Sequence, residues 1–148
     1  MLVWLSIAAV AVVAFLTWTL YRRFVVDRIG ALSEKRRSTS RFVSRGAFVD
    51  ANRQMDVALA LTSSTFFYEN ADMEASLDLQ WVSEIEYDTQ LSTGRTVAGG
   101  KVLRLRCYSQ AFEFVLPDDV VARWHMMLPP RRAHAAAATP VLAPVLTA

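Results

Sequence analysis

The first 21 residues, MLVWLSIAAVAVVAFLTWTLY, contain no charged side chain, and this segment limits what the rest of the 148-residue chain can do. About 20 helical residues, each adding a rise of about 1.5 Å, span the hydrocarbon layer of a bilayer. Trp4, Trp18 and Tyr21 lie near the two ends of the segment, where amphipathic rings favour the headgroup region. The pattern therefore predicts a transmembrane helix over residues 1–21.

Two other interpretations of this segment are weaker. A cleaved signal peptide carries basic residues before its apolar run and a small-residue cleavage site after it, whereas here Tyr-Arg-Arg-Phe follows the apolar run. A helix buried in a soluble core would need a body large enough to enclose it, and the remaining chain is too small for that. We therefore expect an uncleaved anchor.

Basic residues are concentrated directly after the apolar segment. They are Arg22, Arg23, Arg28, Lys35, Arg36, Arg37 and Arg41. Because cytoplasmic flanks carry an excess of Lys and Arg, this distribution predicts a single-pass protein of the cell membrane with its C-terminal part in the cytoplasm. The single cysteine, Cys107, agrees with a reducing compartment and excludes a disulfide scaffold.

The net charge of +2 conceals a basic segment followed by an acidic one. Residues 22–45 carry a net charge of +6 and residues 46–128 a net charge of −6. Juxtamembrane basic residues attract anionic lipid at about 1 kcal/mol each, although fixing the topology is already a sufficient role for them. Residues 22–44 are predicted to be a basic stalk. It would continue as a helix with Phe24, Val25, Ile29 and Leu32 on one face, and then loosen into a linker through Ser33, Ser38, Thr39, Ser40 and Ser44.

The apolar pattern changes from a helical to an alternating one after the stalk, which predicts a mainly β body with one terminal helix. The predicted strands are 45–50, 55–62, 65–70, 75–79, 81–90, 101–108 and 110–116, and the predicted helix is 118–128. In the fifth strand, Trp81, Ile85, Tyr87 and Leu91 are expected on one face, with Val82 and the acidic residues Glu84, Glu86 and Asp88 on the other. Asp118 and Asp119 suit a helix N-terminus, and Pro129-Pro130 ends the helix.

The residues of this body resemble the GRAM and bacterial pleckstrin-homology-like (PH-like) domains. The resemblance is carried by Gly46-Ala47-Phe48-Val49, by the segment from Leu59 to Tyr68, and by Leu77-Asp78-Leu79 with Trp81-Val82-Ser83-Glu84-Ile85. It implies an antiparallel barrel or sandwich of about seven strands, over residues 45–129, capped by the C-terminal helix. Thr65 stands where the family often has Arg or Lys, which removes one basic residue from the lipid-binding region of that family.

The residues that most often perform catalysis have plainer explanations in this sequence. His125 lies on the terminal helix, with no carboxylate and nucleophile in an evident set around it. Cys107 alternates with Leu103 and Leu105, and we expect it to be a buried, inert thiol. His134 belongs to the Ala- and Pro-rich segment 130–148, which is predicted to be a disordered tail.

No cofactor or metal is expected. Gly94, Gly99 and Gly100 lie in a loop that precedes a strand and lacks the phosphate-binding pattern. The carboxylates Glu84, Glu86 and Asp88 follow a period of two, so they line an exposed strand face rather than converge on a cation. A nucleophile–base pair is also missing, and the sequence therefore favours a protein that is not an enzyme.

One basic group of the body is a candidate for an anionic headgroup: Arg95, Lys101, Arg104 and Arg106. If strands 81–90 and 101–108 pair, Arg104 and Arg106 face the acidic residues Glu84, Glu86 and Asp88. Opposite charges across strands stabilise each other by a few tenths to about 1 kcal/mol per pair. Charge pairing is favoured over a headgroup pocket, and the acidic body excludes nucleic acid as a partner.

The preferred functional hypothesis is a membrane-anchored PH-like domain that binds another protein at the membrane. An open sheet edge or the groove beside the terminal helix would be its docking surface. The alternative is anionic-lipid binding by the basic body residues together with the stalk residues. The candidate contacts are Arg22, Arg23, Arg28, Lys35, Arg36, Arg37, Arg95, Lys101, Arg104 and Arg106.

Overall fold

The computed structural model describes residues 2–51 and 53–132, and only the backbone of residues 2–6, 8, 9, 25 and 26. His134 and most of the predicted disordered tail therefore lie outside the described residues. The elements are α1 (Leu2–Arg37), β1 (Phe42–Asp50), β2 (Arg53–Leu61), β3 (Thr65–Glu69), β4 (Glu74–Asp78), β5 (Val82–Asp88), β6 (Gly100–Cys107), β7 (Gln110–Pro117) and α2 (Asp118–Met127).

All seven strands belong to one antiparallel sheet, in the order β4-β3-β2-β1-β7-β6-β5. Strand β1 pairs with β2 from Phe42 to Asp50, but with β7 only over Ala47–Val49. The strands before β1 in this order form one hairpin series and those after it another. The predicted mainly β fold, with about seven antiparallel strands and a C-terminal helix, is confirmed.

The sheet curls around a single aromatic core. Phe66 of β3 and Phe114 of β7 lie three strand spacings apart in the sheet, about 14 Å if the sheet were flat. Their ring centroids are nevertheless 4.9 Å apart. Helix α2 covers the core and inserts Trp124, which is fully buried and donates its indole N–H to Ser44 Oγ at 2.9 Å. We call the opposite side of the sheet, where Val49 and Val102 lie, the outer face.

The predicted faces of β5 are wrong at its first residues. Val82 is buried and Trp81, expected inside, is 52% exposed. The pairing with β6 shifts between Val82 and Glu84, so an irregularity there reverses the alternation. Beyond this bulge Ile85 is buried and Glu84 and Glu86 lie on the outer face, as predicted.

Helix α1 ends at Arg37, and only residues 38–41 separate it from β1. Its C-terminal turns pack on the outer face against β1 and β2, where Ile29 is buried. The predicted loosening at Ser33 and Ser44 is wrong. The Ser33 hydroxyl donates to the Ile29 carbonyl at 2.8 Å inside the helix, which satisfies it without breaking the helix. Ser44 is buried in β1, where it accepts the Trp124 hydrogen bond.

The N-terminal half of α1 exposes apolar side chains, among them Val10, Phe15 and Leu20. Counted over the described residues, none of the helices combines the length and the apolar character needed to cross a bilayer. The transmembrane helix predicted over residues 1–21 has no support from that count.

Candidate interaction site

Arg104 and Arg106 of the predicted basic group face carboxylates on the outer face. The strand register places Glu84 opposite Arg106 and Glu86 opposite Arg104. Arg106 Nε lies 2.6 Å from Glu84 Oε2, and Arg104 Nη1 lies 3.2 Å from Glu86 Oε2. The prediction that these charges pair across the strands is confirmed.

Arg104 has a further partner that the sequence analysis missed. Glu113 of β7 lies opposite Arg104 in the register and accepts a hydrogen bond from Arg104 Nε at 2.9 Å. Glu113 also accepts from the Ser92 backbone N–H at 2.9 Å and from the Ser92 hydroxyl at 3.0 Å. Burial would lower the pKa of Arg104, but its bonds to Glu113 and Glu86 outweigh burial and raise the pKa. This network joins three strands to the loop before β6, and it leaves Arg104 committed to protein carboxylates.

The four body residues of the predicted basic group do not converge on one pocket. Arg95 lies in the loop before β6 and donates to the Gln54 side chain of β2 at 3.3 Å. Val102 and Arg104 are two residues apart in β6, so their side chains lie on the same face of the sheet. Lys101 is adjacent to Val102 and therefore lies on the opposite face. An anionic headgroup would therefore meet scattered charges on this body.

The stalk residues divide into two kinds. Exposed side chains with access to solvent are Arg22, Arg23, Arg28, Lys35 and Arg37. Arg36 turns to the body instead: it pairs with Glu69, it lies 2.7 Å from Glu74, and its guanidinium is 4.2 Å from the Phe67 ring centroid. Because Glu69 is buried, Arg36 fastens α1 to β3 and β4 rather than being free for lipid.

The two side chains considered for catalysis, His125 and Cys107, are each placed by contacts with the strands of the sheet. His125 stacks on Tyr87 with a centroid separation of 3.7 Å, and the Tyr87 hydroxyl donates to the Leu128 carbonyl at 2.8 Å. Burial raises the pKa of Tyr87, so this hydroxyl stays a donor.

Cys107 is half-buried rather than buried, because it ends β6 opposite Val82, at the bulge. Among residues 2–51 and 53–132, no cluster of His, Cys, Asp and Glu can hold a metal.

A cleft of about 320 Å³ lies on the outer face between α1 and the loop before β6. Its walls include Ile29, Ala47 and Val57, with Arg45 and Asp56 as the charged residues. This set contains no nucleophile paired with a base.

The surface that stands out is the outer edge of β5, the last strand in the sheet order. Trp81 precedes this strand and stacks on Tyr108 at 5.5 Å, and both side chains are exposed. Beside them, Arg131 forms an antiparallel bridge with Ile85. We call Trp81, Tyr108 and the outer edge of β5 the edge site. The sequence analysis named an open sheet edge as a docking surface but not which strand forms it, and the strand alternation placed Trp81 in the core.

A comparison of the chain with family models found no match, and comparisons with curated proteins and with solved structures found no significant match.

Proposed function

We propose that this chain is a non-enzymatic, single-pass membrane protein that presents a PH-like domain to the cytoplasm, where the domain binds another protein. The observation that carries the proposal is the continuity of α1. One helix runs from the uncharged segment through the basic stalk into buried contacts with the sheet. A domain fastened in this way is held at the membrane in one orientation.

The dimensions of α1 support close attachment. Ile29 is the first buried residue of the helix among those described, and it follows Tyr21 by about two turns, or about 12 Å. The Arg36 contacts with Glu69 and Glu74 then hold the end of the helix. Because the linker to β1 is short, the body has little freedom to swing. Anchoring raises the effective concentration of the body at the membrane, so even modest partner affinity would suffice.

The strand order supports the PH-like assignment. Seven antiparallel strands in two hairpin series, curled around a core that a C-terminal helix covers, are what the resemblance of residues 45–129 implies. Such a scaffold alone does not specify a ligand. The choice between a protein and a lipid therefore rests on the side chains at the surface.

The charges of the body favour a protein partner. Arg104 and Arg106 are paired with carboxylates, and residues 46–128 carry a net charge of −6. The exposed Trp81–Tyr108 pair supplies the kind of aromatic contact that is enriched at protein interfaces. The negative charge of this body would repel an anionic membrane surface. A protein surface, in contrast, could form favourable contacts with the exposed aromatic pair.

The membrane part of the proposal is tested in cells that express the full chain. Carbonate extraction should leave the protein in the membrane pellet, and protease should digest the body only after lysis. A Val12→Lys, Phe15→Lys variant should lose membrane retention, because charged side chains inside a bilayer cost several kcal/mol. The matched control, Ser38→Lys with Gln110→Lys, adds the same charge at exposed sites outside the segment and should be retained. Release of the unmodified chain by carbonate would contradict the anchor.

The partner part is tested by a photo-crosslinking amino acid in the full chain. Placed at Trp81, it should give discrete adducts of higher mass in membranes. Placed at Asp72, in the exposed turn between β3 and β4, it should give none. Equal labelling at the two positions would contradict a specific partner surface at Trp81.

Anionic-lipid binding is the second candidate, favoured by the exposed basic side chains of α1. The full chain is placed in nanodiscs of mixed neutral and anionic lipid, and the lipid retained after partial delipidation is counted. Replacing Arg22, Arg23 and Arg28 with Gln should remove the enrichment in anionic lipid, and so should high salt. Arg106→Gln should leave it unchanged. Equal enrichment in all variants would rule out this role for the stalk.

A further inference from the structure

The edge of β5 is partly filled by the chain itself. After α2 and Pro129-Pro130, the chain turns back along this strand. The Ile85 N–H donates to the Arg131 carbonyl at 2.6 Å, and the Arg131 N–H donates to the Ile85 carbonyl at 2.9 Å. These two bonds form one antiparallel bridge. The edge of β5 thus already accepts an added strand segment.

The side chain of Arg131 strengthens the bridge. Its guanidinium donates to the carbonyl of Val82 and lies 3.5 Å from the carbonyl of Leu79. These carbonyls flank Trp81, at the bulge where the strand begins. The edge site therefore has a specific place for a guanidinium, next to an exposed aromatic pair.

The pairing of residues 129–132 with β5 is limited to this one bridge. Pro129 and Pro130 lack backbone N–H groups, so they cannot donate to the edge. In the same strand Tyr87 follows Ile85 by two residues and presents its backbone to the same side. A segment without prolines would extend the ladder where the chain's own segment stops.

We infer that residues 129–132 are an intramolecular substitute for an extended, arginine-bearing segment of the protein partner, which binds β5 by strand addition. This inference rests on the protein-binding function proposed above. The partner's backbone pairs with β5, and its arginine takes the place of Arg131 beside the carbonyls of Leu79 and Val82. The aromatic pair Trp81–Tyr108 receives a neighbouring side chain, and the acidic body attracts a basic segment.

The chain's own segment then acts as a competitor. A partner binds only the fraction of molecules in which the segment has left β5, so its apparent affinity falls by that fraction. Weakening the segment should raise the affinity of the partner without any change in the edge itself. If the segment has left β5 in about one molecule in ten, removing it raises the apparent affinity of the partner about tenfold, and we expect a gain of this size.

The test uses the full chain in detergent micelles and a short fluorescent peptide of alternating valine and threonine with a central arginine. Arg131→Glu should tighten peptide binding about tenfold and speed hydrogen exchange at the Ile85 amide. Arg132→Glu makes the same change in charge one residue away and should bind the peptide like the unmodified chain. Trp81→Ala in the Arg131→Glu background should weaken binding, as should a glutamate at the centre of the peptide.

Three outcomes would overturn the inference. The first is faster exchange at Ile85 without tighter binding, which would mean that the open edge does not take a strand. The second is unchanged exchange and binding in both Arg131→Glu and Arg131→Pro, whose proline removes the backbone donor. The third is dimerisation of the Arg131→Glu variant without peptide, which would make a second copy the occupant. Because the assay is done in micelles, its result is independent of the membrane topology tested above.

Discussion

The buried carboxylate of Glu113 offers a sharp test of the outer-face network, through Glu113→Gln. The side chain of Glu113 is 7% exposed and that of Arg104 is 15% exposed. The glutamine oxygen can still accept from Arg104 and from the Ser92 N–H, so the substitution removes the charge while keeping the shape. Arg104 would then keep only Glu86 at 3.2 Å and Asp88 at 3.7 Å as charged partners.

The magnitude follows from burial. Leaving a buried charge without its partner costs about 3–5 kcal/mol, and a hydrogen bond to a charged group is worth about 1.5–3 kcal/mol. Because Glu86 and Asp88 still compensate Arg104 in part, we expect Glu113→Gln to lower the free energy of unfolding by about 2 kcal/mol. For a body of this size the unfolding midpoint should fall by about 8–16 °C.

The matched control is Glu84→Gln, on the same face of the sheet. Its partner Arg106 has a side chain that is 45% exposed, so water replaces the lost contact and the loss should stay below about 1 kcal/mol. Thermal unfolding of the full chain in micelles, followed by near-ultraviolet circular dichroism, measures both variants. The double variant of Glu113→Gln and Arg104→Gln should lose less than the sum of the single losses. Equal losses for Glu113→Gln and Glu84→Gln would refute the argument from burial.

Three further predictions concern the core, the attachment of α1 and the loop after β5. Trp124→Ala should destabilise the body by about 3–5 kcal/mol, and Ser44→Ala, which leaves the indole N–H unpaired, by about 1–3 kcal/mol, both measured by urea unfolding. Arg36→Gln should speed hydrogen exchange over residues 29–37, whereas Arg37→Gln, whose side chain is 73% exposed, should not. Hydrogen bonds from the backbone of Thr89 and Gln90 lower the pKa of Asp88 below its ordinary value of 3.8. Its contribution to stability is therefore full above about pH 4 and lost as the pH falls through the lowered pKa, and NMR titration should place the Asp88 midpoint below 3.8.

The parts of the fold that the sequence predicted are those that local patterns determine. Alternating apolar residues and the turns between them located the strands, and Asp118 with Pro129-Pro130 bounded α2. The pairing of Arg104 and Arg106 with acidic residues followed once two neighbouring strands were assumed to pair. The bulge at Val82 was not predicted. One irregular residue reverses the face on which every preceding side chain of the strand lies, and the amino-acid composition does not reveal it.

The side-chain contacts that the sequence did not predict depend on how the elements fold back on one another. Arg36 meets Glu69 and Glu74 only because α1 folds back over the outer face. Arg131 meets Ile85 only because α2 returns the chain to β5. Glu113 lies between two core phenylalanines, and period-two alternation would have placed it on the outer face, but its partners depend on the strand order β7-β6-β5. None of these pairings can be derived without the topology.

The two arginines that tie the flanking segments to the sheet differ in how easily they can be released. If Arg36 leaves, the buried carboxylate of Glu69 loses its partner, and an unpaired buried charge costs about 3–5 kcal/mol. If Arg131 leaves, the neutral carbonyls of Leu79 and Val82 lie at a sheet edge, where water can replace the guanidinium at small cost. The attachment of α1 is therefore harder to release than the segment on β5, and the segment on β5 is the one that the proposed partner would displace. In the proposed function, this difference would let the domain stay fixed on its helix while the edge of β5 is freed for a partner.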